Sequence, residues 1–428
     1  MSLGPTMNDQ TVKTQPSCDD DYDPASLTCA EALQRLLAAV TPITDQERVH
    51  LRAALGRVLA EPVHARFDVP AHTNSAMDGY AVASADLPAD GVGELAVVGT
   101  SLAGKPFREE LRPGEAVRIM TGAVMPAGAD TVLIQERVEE RDGRIRFMPG
   151  NKPGQHVRRA GEDLATGAVA FSPGRRLSAA DIGVIASLGV AEVEVLRRPR
   201  IAFFSTGDEL RSLGEPLALG EIYDSNRYTL YGMLTQLGVE LVDLGVVSDD
   251  PARLEDAFTR AARVADAVIT SGGVSVGEAD YTKEILGRLG EVRFWKVAMK
   301  PGRPLAFGHI DGAWFFGLPG NPVSVMVTFY EFVRPALDKL MGTAPRLPWS
   351  MPARVTHALK KRPGRVEFQR GFLQRDAAGE VTVTPTGDQG SGILSSMSQA
   401  NCFIVLPLET AGVAAGATVE VQPFDGLI

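Results

Sequence analysis

The sequence has little of what builds covalent or metal-bound frameworks. It contains three cysteines, Cys18, Cys29 and Cys402, far apart and in no CxxC pair. That spacing excludes a disulfide framework and a thiolate zinc site, and leads us to expect reduced thiols in a cytoplasmic protein. The six histidines are scattered, so neither a histidine metal centre nor a Ser-His-Asp triad has its parts. No apolar run approaches the roughly 18 residues that a membrane span requires. No dinucleotide-binding fingerprint occurs either. Positive charge is in deficit, with 43 Lys and Arg against 53 Asp and Glu and a net charge of −10. The broad basic surface that nucleic-acid binding relies on is therefore missing, and an anionic substrate must meet a local cluster of cations.

What is present is apolar material for several cores. The chain has 428 residues, 44% of them hydrophobic and 22% charged, which suits roughly three soluble globular domains. A disordered tail is expected over 1–25, because the segment is polar and acidic and lacks the basic start and apolar run of a signal peptide. Thr28 with Glu31, and Thr44 with Glu47, have capping-box spacing and predict two opening helices. Ser178 predicts a third helix, ending at Gly189 and packing beside those two. These pieces, 26–67 with 158–198, are read as a discontinuous helical domain. Short β-rich runs punctuated by Gly and Pro predict an inserted β domain over 68–157.

From 199 to 345, strand and helix patterns alternate, with near-continuous apolar strands such as Ile201 to Ser205 and Ala267 to Thr270. This predicts a doubly wound α/β domain with a mostly parallel sheet. Beyond Pro345 and Pro348 the texture returns to β, and 346–428 is expected to form a β-barrel-like C-terminal domain. The fold class is thus multidomain α/β.

Open α/β sheets bind ligands beyond the carboxyl ends of their strands, so the loops there hold the candidate chemistry. Ser271, Gly272, Gly273, Ser275 and Gly277 form a Gly/Ser-rich strand-to-helix loop suited to a phosphate or another oxyanion. Glu278 stands where a Walker A lysine would be, so a generic ATPase reading fails. Ser205, Thr206, Gly207, Asp208 and Glu209 follow the first strand. With Asp249, Asp250 and Asp280 they gather carboxylates at one sheet edge, which beside phosphate suggests Mg²⁺. Asp249 or Asp250, before Pro251, equally fits a helix N-cap. Lys296, Lys300 and Arg303 supply the cationic cluster that the composition demands. Pro319 and Pro322 frame a rigid turn into the last helix of the domain. In the inserted domain, Asp78, Thr121, Arg158 and Asp163 lie in polar loops that could be turns or site.

Seven blocks taken together resemble one family. They are NSAMDGY (74–80), MTGA (120–123), RRAGED (158–163), STGDEL (205–210), SGGVSVGEADYTK (271–283), FWKVAMKPGRP (294–304) and LPGNPVS (318–324). In this combination and order they resemble the molybdopterin molybdenumtransferases of molybdenum-cofactor biosynthesis, which include the E domain of gephyrin. The 271–283 block is partly shared with the molybdopterin adenylyltransferases. The resemblance implies an elongated homodimer with a shared active site. The implied reaction inserts molybdenum from molybdate into adenylylated molybdopterin, with Mg²⁺-dependent release of AMP. It implies that Ser271 to Gly277 cradle phosphate and that Lys296, Lys300 and Arg303 hold the pterin phosphate or molybdate. Glu209, Asp249 and Asp280 would bind Mg²⁺ or shape the nucleotide pocket. Asp78, Thr121, Arg158 and Asp163 would join from the partner subunit. A molybdopterin adenylyltransferase and downstream molybdoenzymes are the implied partners, with neither nucleic acid nor membrane. Two positions depart from commoner family patterns: Ala160 and Ser248 stand where basic residues are frequent, thinning the charge near the site. The competing readings are pterin adenylation and a non-catalytic cofactor carrier or scaffold.

Overall fold

The structure, a computed structural model, describes residues 25–273 and 280–424. The expected tail, with Cys18, and the loop residues Ser275 and Gly277 lie outside the described residues. The chain divides into two compact units, one formed by Gln46–Val195 and the other by the chain on both sides of it.

Helix α1 (Cys29–Ala39) begins as the sequence predicts. The Thr28 hydroxyl accepts from the Glu31 N–H while the Glu31 carboxylate accepts from the Thr28 N–H, a complete capping box. Its apolar face buries Ala32 and Leu36 against the helical segment that follows Pro322, in the flanking unit. The second opening helix does not form. Gln46–His50 is instead a strand paired with Glu192–Leu196, followed by a single 3₁₀ turn, Leu51–Ala53. Thr44 and Glu47 carry the capping spacing, but the alternating Val193 and Val195 offer a ladder, and that tertiary pairing overrides a local signal. Helix α2 (Ala179–Ser187), capped reciprocally by Ser178 and Asp181, packs on that 3₁₀ turn.

The Gln46–Val195 unit also holds two short ladders, Val63–His64 with Val169–Phe171 and Asn74–Ser75 with Val157–Arg158, and a six-stranded sheet. Its order is Thr131–Ile134, Gly79–Val82, Glu115–Ile119, Gly93–Ser101, Arg144–Phe147 and Val138–Arg141. Tyr80, Val82, Ala116 and Ile145 form its core.

In the flanking unit, a six-stranded sheet runs in the order Glu240–Val247, Arg200–Thr206, Ala267–Ser271, Ala313–Leu318, Pro304–Ile310, Gly290–Lys296. The first four strands are parallel, and the last two join antiparallel. The strand Pro304–Ile310 has no counterpart in the sequence pattern, where Pro304 and Gly308 weaken the signal. Helix α3 (Ser225–Leu237) lies on one face with α6 (Pro322–Thr328). Helices α4 (Pro251–Val264) and α5 (Asp280–Leu289) cover the other over a core that includes Phe204, Phe258 and Phe315. The helical path of α6 continues through a π-helical turn, Phe329–Val333, into α7 (Arg334–Leu340). This is the doubly wound architecture that the alternation predicts.

The C-terminal strands Met351–Val355, Val366–Arg375, Val381–Pro385, Cys402–Leu406 and Thr418–Pro423 close into a five-stranded barrel, because Val366–Arg375 pairs with both of its neighbours around the ring. A two-residue parallel ladder, Met299–Lys300 with Val366–Glu367, stitches the barrel to the α/β sheet.

Candidate active site

A cleft of about 2530 Å³ opens where the carboxyl ends of the α/β strands face the barrel. Arg200–Thr206 is flanked by the strands that follow it on either side, so this is a topological switch point, where crossovers leave a crevice. Thr206, Gly207 and Glu209 line the cleft from one strand end, and Ser271, Gly272 and Gly273 from the next. Gly272 and Gly273 have φ of +91° and +67°. A Cβ on Gly272 would sit 2.5 Å from the Thr206 carbonyl oxygen, and one on Gly273 would sit 2.8 Å from Thr206 Oγ1. Only glycine lets this backbone pass so close to Thr206. Thr206 Oγ1 is itself buried without a hydrogen-bond partner among the described residues.

Apart from Glu367, which lies among the cations, the carboxylates named from the sequence and the cations line different strand ends of the cleft. Glu209 and Asp249 line the cleft on the side of the first strand, and Asp208 accepts the Asp249 N–H at 3.1 Å. Asp250 caps α4, its carboxylate accepting the Arg253 N–H, so the N-cap reading holds for Asp250 and leaves Asp249 to the cleft. Asp280 begins α5, with its side chain outside the described set. Lys296, Lys300, Arg303, Pro319 and Pro322 all line the cleft. Ser205 does not. It is buried, and its hydroxyl donates to Asp224 at 2.9 Å.

The barrel supplies what the sequence reading left out. Lys360, Lys361, Arg362 and Arg365 face the same cleft, as do Glu367 and the segment Gln389–Gly392. Arg370 holds that segment from behind. Fully buried, it donates to Ser396 Oγ at 2.9 Å and to the carbonyls of Asp388, Gln389 and Gly390 at 3.3, 3.1 and 2.9 Å. Burial lowers the Arg370 guanidinium to about 10, which leaves it charged at neutral pH. Since each peptide is planar and trans, the N–H groups of Gln389, Gly390 and Ser391 point away from Arg370. A row of backbone donors of this kind suits an oxyanion. Asn226, at the start of α3, ties the floor together by donating to Ser271 Oγ at 2.8 Å and to the Gly320 carbonyl at 2.6 Å.

In the Gln46–Val195 unit, the three sequence blocks converge. Asp78 Oδ1 accepts from the Thr121 N–H at 2.6 Å and from the Thr121 hydroxyl at 2.8 Å. These bonds hold the Asp78 carboxyl below its ordinary value. Arg158 pairs in register with Asn74, and Ala160 N–H donates to Thr73 Oγ1 at 3.3 Å. The Asp163 N–H donates to the Val69 carbonyl at 3.0 Å, so the block carrying Arg158 and Asp163 folds against the one carrying Asp78.

Comparison with known proteins matches this geometry end to end. Residues 27–189 match the MoeA N-terminal region (domain I and II), 202–339 the "probable molybdopterin binding domain", and 352–424 the MoeA C-terminal region (domain IV). The molybdopterin molybdenumtransferase of Haemophilus influenzae is 46% identical over 407 residues, covering 94% of this chain and 100% of that protein. The chain belongs to the molybdopterin molybdenumtransferase family. The family protein of a Nostoc species is 38% identical, covering 93% of both chains. A crystal structure of the molybdopterin biosynthesis MoeA protein from Pyrococcus horikoshii superposes with a TM-score of 0.80 at 30% identity, covering 93% of this chain and 100% of that one. The barrel cations at this cleft carried a readable signal. Lys360, Lys361, Arg362 and Arg365 lie within six residues, a dense run of cations in an acidic chain. Nothing in the local pattern says that this run faces a loop more than 80 residues earlier.

Proposed function

We propose that the cleft inserts molybdenum from molybdate into adenylylated molybdopterin, coupled to Mg²⁺-dependent cleavage of the adenylate, yielding molybdenum cofactor and AMP. The observation that carries this reading is the partition of one cleft into a carboxylate wall, a Gly272–Gly273 phosphate cradle and a cationic wall drawn from both the α/β sheet and the barrel. Cleaving a pyrophosphate requires stabilising charge on its oxygens more than it requires a covalent partner. Lys296, Lys300 and Arg303 provide that charge. The free thiols Cys29 and Cys402 take no part, since burial pushes both up to about 12 and keeps them protonated.

Glu209 and Asp249 are hard oxygen donors on one wall, and among the described residues no three His, Cys, Asp or Glu side chains converge. That set suits Mg²⁺, which takes one or two carboxylates plus phosphate oxygens and waters, and does not suit a closed zinc site. Glu209 and Asp249, with Asp280 as the third residue of the proposed set, would hold the ion. Bound there, it would neutralise phosphate charge.

The functional unit on this reading is a cytoplasmic homodimer in which Asp78, Thr121, Arg158 and Asp163 come from the partner subunit. Support for a second copy comes from a stretch of sequence rich in exposed apolar side chains, Leu213, Leu217, Leu219, Ile222, Tyr228 and Tyr231. No helix among the described residues is long and apolar enough to cross a membrane.

The test is AMP release from adenylylated molybdopterin by the purified protein with Mg²⁺, with and without molybdate. Molybdate-dependent release is expected. Consumption of ATP instead would favour pterin adenylation, and tight pterin binding with no AMP release would favour a carrier or scaffold.

A further inference from the structure

A carboxylate sits inside the cationic wall. Glu367 is 6% exposed, and both of its oxygens are engaged. Its Oε1 accepts from Lys300 Nζ at 3.0 Å and its Oε2 accepts from Gln369 Nε2 at 2.8 Å. Gln369 Nε2 also donates to the Lys360 carbonyl at 3.0 Å, so the carboxylate is fixed in place. The Met299–Lys300 ladder with Val366–Glu367 sets the two partners side by side. The Lys300 side chain is half exposed, and its ammonium has three donors, of which Glu367 takes one.

We propose that Glu367 is an internal counter-ion of this oxyanion-binding wall. It orients Lys300 and cancels one unit of the positive charge gathered by Lys296, Arg303, Arg362 and Arg365, so that a tetrahedral dianion binds reversibly instead of being trapped. A buried charge is poorly screened, so its field reaches a bound anion more fully than that of a surface pair. Tight binding of the ground state lowers KM without raising kcat, so tempering the wall favours turnover. The identity of the anion as molybdate rests on the function proposed above.

The sign of the effect tests the proposal. Equilibrium dialysis of the full chain with molybdate, and separately with sulfate, reads anion binding without turnover. Glu367→Gln keeps the shape and an acceptor for Lys300 but removes the charge. It is expected to bind the dianion about tenfold more tightly at low salt, with the gain shrinking as salt rises. Glu367→Asp restores the charge and is expected within about twofold of the parent protein. Equal or weaker binding by Glu367→Gln would overturn the proposal, because a residue that only positions Lys300 weakens binding when it is removed. If Glu367→Gln does not fold, Lys300→Gln serves as the second variant. It leaves the acid uncompensated and is expected to lose more than tenfold in affinity, and unchanged affinity would overturn the proposal. Failure of the parent protein to bind either dianion would overturn it as well. Absence of molybdate-dependent AMP release, with the dialysis result intact, would instead count against the proposed reaction.

Discussion

Glu331 lies in the π-helical turn Phe329–Val333, and its Oε1 is buried without a hydrogen-bond partner among the described residues. Burial pushes its carboxyl up to about 8 from an ordinary value of 4.5. The folded protein therefore keeps a proton that the unfolded chain releases between those two values. Stability from this position is unaffected below about pH 4.5 and falls as pH rises toward 8. Glutamine fills the same space and cannot ionise. Glu331→Gln is expected to raise unfolding stability by about 2–4 kcal/mol at pH 8 and to change it little at pH 4.5. Urea midpoints at the two pH values read this difference, and an equal gain at both would refute it. The residue is invisible to sequence reasoning, because a glutamate between Tyr330 and Phe332 reads as the solvent face of a helix until the packing of α1 covers it.

At the scale of single elements, local sequence was decisive where no distant partner competed with it. The capping boxes of α1 and α2 formed as their spacing requires, and Asp224 and Asp250 cap α3 and α4. The Thr44 segment obeyed a distant strand instead. The segment Gln389–Gly392 is held in the same long-range way, by a guanidinium from a neighbouring strand. Arg370→Lys keeps the charge but replaces a planar fork with a point donor, leaving buried carbonyls of Asp388 to Gly390 without partners. A loss of about 2–4 kcal/mol in unfolding stability is expected, read by denaturant midpoint. Loss of molybdate-dependent AMP release beyond what the lower stability explains should accompany it, since the cleft-lining segment Gln389–Gly392 loses its support. A variant as stable and active as the parent would show that the segment holds its own shape.

For the molecule as a whole, the homodimer is the exposed prediction. Sedimentation at micromolar protein should give twice the mass of one chain, and Tyr231→Glu, which places charge on the exposed face of α3, should shift it toward monomer. A monomer at working concentration would remove the shared-site arrangement. The sequence by itself determined the α/β alternation, the capped helix starts, the glycine cradle at Gly272 and Gly273, and the cations at Lys296, Lys300 and Arg303. Each of these depends on periodicity or on residue chemistry confined to one short stretch. Only the tertiary structure decided that Lys360 to Arg365 face that cradle, that Glu367 sits among the cations, and that Ser205 turns inward to Asp224. Those placements arise from closing a barrel and from seating it by a two-residue ladder. Both pair residues distant in sequence, and no local pattern encodes them.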